Sequence, residues 1–99
     1  MRLVLRHAAK LDLAEARRWY EERQPRLGQE FIASVDAALA LIREFPLIAP
    51  KVDPRVRRAG TKRFPYGIFY IIDGQTIRVL AVLRNGRSSF WWQGRMKED

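Results

Sequence analysis

The feature that most constrains this fold is a pair of apolar runs on either side of Asp73 and Gly74. The first run reads Ile-Phe-Tyr-Ile-Ile and the second Ile-Arg-Val-Leu-Ala-Val-Leu, so both are rich in β-branched and aromatic residues. An Asp-Gly pair between two such runs is typical of a β-hairpin with a type I′ turn. The sequence therefore predicts a hairpin within residues 64–87 that has Asp73 and Gly74 as its loop residues.

Alternation of side chains along this hairpin predicts two apolar faces. If Asp73 and Gly74 form the loop, Ile72 pairs with Gln75, and every second residue along each strand points to the same side. One wet side is normal for an antiparallel pair, so a hairpin with two apolar faces is unusual. We expect helices of the chain to cover one face and a partner protein to cover the other. The first face carries Ile68, Tyr70, Ile72, Ile77, Val79 and Ala81, whereas the second carries Phe69, Ile71, Leu80 and Val82, interrupted by Thr76 and Arg78.

Two helices are predicted before the hairpin. The first carries apolar residues at helical spacing up to Tyr20 and is expected to end near Gln24. Its start is predicted at Asp12, because Asp12 and Glu15 resemble a capping box. The second helix has a longer apolar stripe, which Pro46 ends. This stripe consists of Leu27, Phe31, Val35, Ala38, Ile42 and Phe45, with Leu39 and Leu41 widening it.

The remaining segments complete a small α+β fold. Residues 3–6 predict a first strand, and the basic stretch over residues 55–63 predicts a strand that leads into the hairpin. The element order is then β-α-α-β-β-β, with a helical hairpin packed on a small, mostly antiparallel sheet. At 99 residues the chain is expected to form a single domain over residues 1–99.

Composition excludes several classes of function. The chain has no cysteine and a single histidine, His7, which rules out thiolate sites and nearly all histidine-based metal sites and catalytic triads. We expect no cofactor and no bound metal. The apolar runs are too short for a signal peptide or a membrane span, so a cytoplasmic protein without membrane contact is expected.

Charge is unevenly distributed along the chain. The net charge is +8; residues 1–50 contain eight basic and seven acidic side chains, whereas residues 51–99 contain eleven basic and four acidic ones. A polyanion or an acidic protein is the partner expected for this second half. One compatible function class is a small basic nucleic-acid-binding module, whose arginines contact phosphates and whose aromatic side chains stack on bases.

Five segments occur in an order and spacing that resemble a known family. They lie at residues 14–21, 27–31, 46–50, 63–70 and 79–82, and Arg84 and Arg87 follow the last one. The fourth reads Arg-Phe-Pro-Tyr-Gly-Ile-Phe-Tyr and the fifth Val-Leu-Ala-Val. Together the five segments resemble the RelE/ParE superfamily of type II toxin–antitoxin toxins, and the last two are most similar to its ParE branch. The resemblance covers nearly the whole chain and implies the same α+β fold that the periodicities predict.

The resemblance implies a toxin that arrests growth, serves plasmid stabilization and is neutralised by a cognate antitoxin. That antitoxin is expected to be acidic, partly disordered and encoded adjacent to the toxin. Members of the ParE branch poison DNA gyrase. Members of the RelE branch cut mRNA on the ribosome without a metal, by means of arginines, lysines and often a tyrosine. The resemblance alone leaves open whether the target is gyrase or the ribosome and its mRNA, and whether the toxin is active.

The residues at the RelE positions favour the gyrase target. In register, two RelE arginines fall on Gly67 and Asn85, and the RelE tyrosine falls on Trp91. Cleavage of RNA by attack of the 2′-hydroxyl needs a base, an acid and cations on the phosphate. Tyr66 or Tyr70 can supply an acid, but alternation places Tyr70 on an apolar face. No catalytic residue is therefore assigned, and the residues expected to carry toxicity and target binding are Arg58, Lys62, Arg63, Arg84, Arg87 and Trp91.

The second hairpin face is the predicted antitoxin-binding surface. An acidic, partly disordered segment that folds across this face gains apolar burial and charge complementarity together, and Arg58 adds to the positive charge there. The residues expected to contact the antitoxin are Phe69, Ile71, Arg78, Leu80 and Val82.

Overall fold

The chain folds in the predicted order of one strand, two helices and three strands. The structure, a computed structural model, describes residues 1–86 and Arg95. The predictions about Arg87 and Trp91 therefore lie outside the described residues. The elements are β1 (Arg2–Leu5), α1 (His7–Arg23), α2 (Leu27–Glu44), β2 (Arg57–Gly60), β3 (Tyr66–Asp73) and β4 (Thr76–Arg84).

A four-stranded sheet with the order β1-β4-β3-β2 forms the centre of the fold. β1 pairs with β4 in parallel, while β2 with β3 and β3 with β4 are antiparallel, so the predicted mostly antiparallel sheet is confirmed. α1 and α2 pack against each other and on one face of this sheet. β1 ends at Leu5 and reaches only to Val79, so the rest of β4 extends beyond it.

α1 begins at His7, five residues before the predicted start. Asp12 is therefore not a capping residue. Its carboxylate instead accepts a hydrogen bond from the Val82 N–H at 2.9 Å, beyond the end of β1. The capping-box interpretation is wrong because Asp12 lies inside the helix and its carboxylate accepts a hydrogen bond from a backbone N–H of another element. The three-residue spacing from Asp12 to Glu15 therefore does not mark a helix start. The predicted end near Gln24 is confirmed, since α1 ends at Arg23.

α2 packs closely enough on α1 to require a glycine. A Cβ on Gly28 would lie 2.6 Å from the Arg17 carbonyl oxygen, so any larger residue would push the helices apart. Glu21 of α1 also links the two helices, because its carboxylate accepts a hydrogen bond from the Gly28 N–H at 3.0 Å. In the predicted α2 stripe, Phe31, Val35 and Ile42 are buried, and Leu27, Ala38 and Leu39 are partly buried against the core. Leu41 and Phe45, by contrast, are 46% and 52% exposed and do not belong to the core.

The central hairpin has a different register from the predicted one. Ile72 pairs with Ile77 rather than with Gln75, so the loop consists of Gly74 and Gln75. Gly74 has a φ of 61° while Gln75 has no positive φ, as in a type II′ turn with glycine in its first loop position. Asp73 is the last residue of β3. The Asp-Gly signal located the hairpin correctly but gave the wrong turn, because glycine serves both type I′ and type II′ turns.

A β-bulge in the hairpin exchanges the predicted faces of two residues. The register shifts between Phe69 and Tyr70, which leaves Leu80 as an extra residue in β4. An extra residue reverses the alternation of side chains beyond it. Val82 therefore joins the cluster under the helices and Ala81 joins the opposite face. The assignment of Val82 to the second face is wrong, because a strict period of two does not reveal a bulge.

Both faces of the sheet are buried. Phe69, Ile71 and Leu80 on the second face have exposed fractions of 8%, 2% and 0%. The expectation that this face lies open for a partner is therefore wrong, since the chain itself already buries these side chains. The cluster under the helices includes Phe31, Val35, Ile42, Ile68, Tyr70, Ile77, Val79 and Val82, and the second cluster contains Val56, Phe69, Ile71, Leu80, Ala81 and Leu83.

Candidate functional site

Five aromatic rings gather at the end of the molecule where β3 begins and β4 ends. Tyr20, near the end of α1, lies at the centre: its ring centroid is 5.2 Å from that of Phe31 and 5.0 Å from that of Phe64. Trp19 contacts Tyr20 edge-on at 5.0 Å, and Tyr66 contacts Phe31 at 4.9 Å. Such ring pairs add about 0.5–1.5 kcal/mol each beyond burial. We call the group formed by Trp19, Tyr20, Phe31, Phe64 and Tyr66 the aromatic end.

A tight turn between β2 and β3 places Phe64 within this cluster. Arg63 has a φ of 75°, in the left-handed region, which helps to reverse the chain there. The Thr61 hydroxyl donates a hydrogen bond to the Phe64 carbonyl oxygen at 2.8 Å. From α2, the Ser34 hydroxyl donates to the Lys62 carbonyl oxygen at 2.6 Å. These bonds hold Lys62 and Arg63 at the surface beside the buried Phe64 ring.

Three arginines lie over the rings of the aromatic end. The Arg23 guanidinium carbon is 3.4 Å from the Trp19 ring centroid, and that of Arg84 is 5.5 Å from the same ring. The Arg63 guanidinium carbon is 5.2 Å from the Phe64 ring centroid. A cation within about 6 Å of a ring face is attracted to it. Because Trp19 is 37% exposed and Arg84 is exposed, this end presents to solvent an indole flanked by cations.

The structure brings together only part of the set predicted to carry toxicity. Lys62, Arg63 and Arg84 lie at the aromatic end. Arg58 lies instead on the second face of the sheet, paired across β2 and β3 with Phe69. The predicted residues therefore occupy two surfaces rather than one, because the alternation along β2 turns Arg58 away from the helices.

Trp19 and Arg23 belong to the aromatic end although neither is among the residues predicted to carry toxicity. They are four residues apart on α1, and residues at that spacing are neighbours on a helix surface. The Arg23 guanidinium also donates a hydrogen bond to the Trp19 carbonyl oxygen at 3.2 Å. This contact could have been predicted from the sequence, because an arginine follows the tryptophan by four residues near the end of the predicted helix.

Arg58 occupies the space that a side chain at Gly67 would need. A Cβ on Gly67 would lie 2.5 Å from the Arg58 Nε, so the guanidinium lies directly on the glycine backbone. The same guanidinium donates a hydrogen bond to the Asn85 Oδ1 and lies 6.0 Å from the Phe69 ring. The two positions that the RelE resemblance assigns to arginines are therefore joined by one arginine from β2, which supplies a fixed cation at this point of the sheet.

Tyr70 is unsuited to proton transfer with a substrate. Its side chain is fully buried, and its hydroxyl donates a hydrogen bond to the Pro46 carbonyl oxygen at 2.7 Å. Burial raises the pKa of Tyr70 above its ordinary value of 10.0, partly opposed by a backbone hydrogen bond and by the Arg57 charge. Tyr66 is half-buried among the rings under the helices, whereas Arg58 is on the second face. Within the described residues, neither tyrosine is therefore placed to act as an acid beside the Arg58 cation.

A pocket of about 150 Å³ lies between α1 and β4 and adjoins the aromatic end. Trp19, Arg84 and the Asp12 carboxylate are among its lining groups. Arg95 donates a hydrogen bond to this carboxylate at 3.1 Å, and both side chains are largely buried. The Arg95 carbonyl oxygen in turn accepts one from the Arg6 guanidinium at 2.6 Å. Since the Asp12 carboxylate is neutralised and held in place, we assign it a structural role.

Three further observations bear on the class of function. Within residues 1–86 and Arg95, no group of three or more His, Cys, Asp or Glu side chains is arranged to hold a metal ion. His7 is exposed in the first turn of α1, away from the rings. Over the same part of the chain, no helix combines the length and the apolarity that crossing a lipid bilayer requires.

Comparisons with known proteins agree with this architecture. A family model described as the ParE toxin of the type II toxin–antitoxin system parDE matches residues 3–88. A solved structure described as the chromosomal ParDE TA system from P. aeruginosa is similar, with a TM-score of 0.69 and 19% sequence identity over 85% of this chain and 95% of that chain. At that identity the likeness shows the fold alone. The comparison with curated proteins gave no match.

Proposed function

The chain belongs to the ParE toxin family, and from this premise we propose that it poisons DNA gyrase and that a cognate antitoxin neutralises it. We choose gyrase as the target because this chain lacks arginines at the two positions where members of the RelE branch have them. Gly67 and Asn85 stand there, and the Arg58 guanidinium already lies on the first and is bonded to the second. RNA cleavage also needs a group that moves a proton, and Tyr70 is buried and hydrogen-bonded. Together these features support a toxin that is not a nuclease.

We assign target binding to the aromatic end. Tryptophan and arginine are the residue types that most often carry binding energy at protein interfaces, and Trp19 and Arg84 are both accessible there. Lys62 and Arg63 add positive charge at the same end, which suits the phosphates of DNA held by gyrase or acidic groups of the enzyme. Arg87 and Trp91 follow β4 in the sequence and stay in the proposed set, and Arg58 is kept as a candidate cation on the second face.

The proposed antitoxin is an acidic chain, because the toxin is strongly basic in its second half. Phe69, Ile71 and Leu80 are already buried, so an antitoxin contacts them only after a rearrangement that exposes them. Val82 faces the helices, so we no longer propose it as an antitoxin contact. Arg78 is the accessible member, with a side chain that is 35% exposed, and we propose it as a contact for an antitoxin carboxylate.

Two alternatives are a ribosome-dependent mRNA endonuclease and a small nucleic-acid-binding module without toxicity. The endonuclease predicts mRNA cuts that require ribosomes. The binding module predicts affinity for bare DNA or RNA that falls steeply with salt and predicts no antitoxin. A gyrase target, by contrast, predicts cleaved DNA and places the activity in the cytoplasm.

The test is a gyrase supercoiling assay and a translation assay run side by side with the same purified toxin, freed of antitoxin. We expect loss of supercoiling with accumulation of cleaved DNA, while translation is unaffected. Ribosome-dependent mRNA cuts with normal supercoiling would replace this proposal with the endonuclease. Salt-sensitive binding to bare nucleic acid, with no effect in either assay, would replace it with the binding module.

A further inference from the structure

The pocket between α1 and β4 combines aromatic walls with a cation and a carboxylate. The Trp19 and Tyr66 rings both line it, and Arg84 lines it from the end of β4. Glu15 lines it from α1, about one helical turn before Trp19. The pocket therefore offers a surface for a planar ring between two opposite charges. The other lining residues are Asp12, Ala16, Val82 and Leu83.

The volume of the pocket limits its occupant to a small planar group. A cavity of about 150 Å³ holds a benzene molecule, so this pocket has room for one six-membered ring. Trp19 is 37% exposed, so a ring that enters can lie against its indole. Arg23 does not compete for this space, because it lies on the Trp19 ring but does not line the pocket. A pyrimidine base and an aromatic side chain of a partner protein both meet this size limit.

Glu15 supplies a hydrogen-bond acceptor that the packing of the fold does not use. Its side chain is exposed, and across residues 1–86 and Arg95 no cation lies in ion-pair range of its carboxylate. The other carboxylate of the pocket, that of Asp12, is paired with Arg95 and accepts from the Val82 N–H. Glu15 and Trp19 are separated by about 6 Å along the axis of α1. The edge of a ring on the indole is therefore within hydrogen-bond reach of Glu15.

Arg84 supplies a cation for the phosphate of a nucleotide. Its guanidinium carbon is 5.5 Å from the Trp19 ring centroid, and its side chain is exposed. In the part of the chain that the structure describes, no carboxylate forms an ion pair with it. A ring that stacks on the indole displaces this guanidinium outward, where it can bind the phosphate joined to that ring. Lys62 and Arg63 extend the positive charge along the aromatic end.

This chemistry suits an unpaired base better than an aromatic side chain. Single-stranded nucleic acids bind to positively charged surfaces that carry aromatic rings for stacking. A base has hydrogen-bond donors at its edge, whereas a phenylalanine ring would cover the Glu15 carboxylate without giving it a hydrogen bond. Among the pyrimidines, cytosine presents the N4 amino donor that a carboxylate accepts, while thymine presents the O4 acceptor at the same position. The pocket should therefore prefer cytosine to thymine.

We propose that this pocket binds one unpaired cytosine of DNA, with the base on the Trp19 indole, its amino group donating to Glu15 and its phosphate on Arg84. The inference rests on the proposed function, since it names the part of the gyrase-held DNA that the aromatic end contacts. A base enters such a pocket only when it is out of the duplex stack. The toxin therefore contacts DNA that its target has opened rather than the intact duplex.

The test compares the affinities of the full-length toxin, freed of antitoxin, for oligodeoxycytidine and oligodeoxythymidine strands of equal length. Fluorescence anisotropy at one salt concentration gives the affinities, and gyrase supercoiling and circular dichroism are measured on the same samples. We expect the wild-type toxin to bind the cytosine strand about tenfold more tightly than the thymine strand. Trp19→Ala should bind both strands about tenfold more weakly, because it removes the stacking surface.

Glu15→Ala is the variant that tests base recognition. It should bind the two strands with equal affinity, because the acceptor for the cytosine amino group is gone. Glu22→Ala is the matched control, since it removes the same charge from an exposed site on α1 that does not line the pocket. We expect this control to keep the wild-type preference for the cytosine strand.

Other results would contradict distinct parts of the inference. Equal affinities of the wild-type toxin for the two strands, or a cytosine preference that survives in folded Glu15→Ala, would overturn it. Loss of the preference in Glu22→Ala as well would assign the preference to total charge. If the wild-type toxin binds neither strand and folded Trp19→Ala still loses gyrase inhibition, the pocket takes an aromatic side chain of gyrase instead. A wild-type toxin that prefers cytosine but does not inhibit gyrase would overturn the proposed function and leave the pocket assignment standing.

Discussion

The aromatic end and an apolar groove between α2 and β2 are neighbouring surfaces of different chemistry. The aromatic end presents a tryptophan flanked by two arginines, whereas the groove, of about 590 Å³, presents alanines such as Ala37 and exposed aliphatic side chains. Cations on rings suit a charged partner at an accessible surface, and an apolar groove suits an antitoxin helix that loses its water on binding. The two surfaces meet at Lys62 and Arg63, which line the groove. We therefore expect a mutation away from Lys62 and Arg63 to change either toxicity or neutralisation, whereas a mutation at these two residues should change both.

Phe31→Ala is expected to have the largest effect, because Phe31 supports both surfaces. It is fully buried, contacts the rings of Tyr20, Phe64 and Tyr66, and comes from the helix that lines the groove. Loss of a buried phenylalanine ring lowers the free energy of unfolding by about 3–5 kcal/mol. Chemical denaturation should show this loss, with both activities reduced together. Phe45→Ala, at an exposed site, is the control and should change the same quantity by less than about 0.5 kcal/mol; equal effects of the two changes would contradict the role of Phe31.

Arg84→Ala should weaken target binding at the aromatic end and leave antitoxin binding unchanged. The change removes a cation from the Trp19 ring without touching the groove. We expect gyrase inhibition to require about tenfold more toxin, while antitoxin affinity and thermal stability stay at the wild-type level. Arg55→Ala, which removes the same charge from an exposed loop before β2, is the control. If both variants inhibit gyrase as well as wild type does, the assignment of Arg84 to target binding is wrong.

Lys62→Glu should weaken both antitoxin binding and target binding, because Lys62 lies where the two surfaces meet. Reversing this charge opposes an acidic antitoxin and also weakens the positive field at the aromatic end. We expect antitoxin affinity and gyrase inhibition each to fall about fivefold, measured by calorimetry and supercoiling. Lys10→Glu changes the net charge equally from an exposed site on α1. An equal loss in that control would show that total charge, rather than the border, sets both activities.

Tyr70→Phe tests the core beneath both surfaces and should have the smallest effect. At pH 7 the loss of the hydrogen bond to the Pro46 carbonyl oxygen should lower the free energy of unfolding by about 1 kcal/mol. Burial raises the pKa of Tyr70 above its ordinary value of 10.0, so above pH 10 the unfolded chain binds fewer protons than the folded one. The stability of the wild-type protein should therefore fall as pH rises through this range, and that of Tyr70→Phe should fall less. Parallel pH profiles from pH 9 upward would contradict this reading of Tyr70.

Most of the fold could be predicted from hydrophobic periodicity, because the period reports which side of an element faces the core. The α2 stripe and the strand order along the chain follow from it. Three details do not. Asp12 has a tertiary partner that local spacing does not reveal. Gly74 suits two kinds of turn, and the bulge at Leu80 breaks the alternation that the face assignment assumed.

The candidate site could be predicted only in part, since composition identifies charged residues but not the surface on which they lie. Lys62, Arg63 and Arg84 are brought together, while Arg58 faces the other way. The groove gave no sequence signal because alanines in a helix look like ordinary helix formers. Leu41, counted as part of the core stripe, is exposed beside them.

The separation of the two surfaces is tested most directly by gyrase inhibition of the wild-type, Arg84→Ala and Ala37→Trp toxins, each with and without antitoxin. We predict that Arg84→Ala inhibits about tenfold less yet binds the antitoxin normally. Ala37→Trp, which fills the groove, should inhibit like wild type and stay inhibitory when antitoxin is added. If each variant instead loses both properties together, or neither variant loses any, target binding and antitoxin binding do not use separate surfaces.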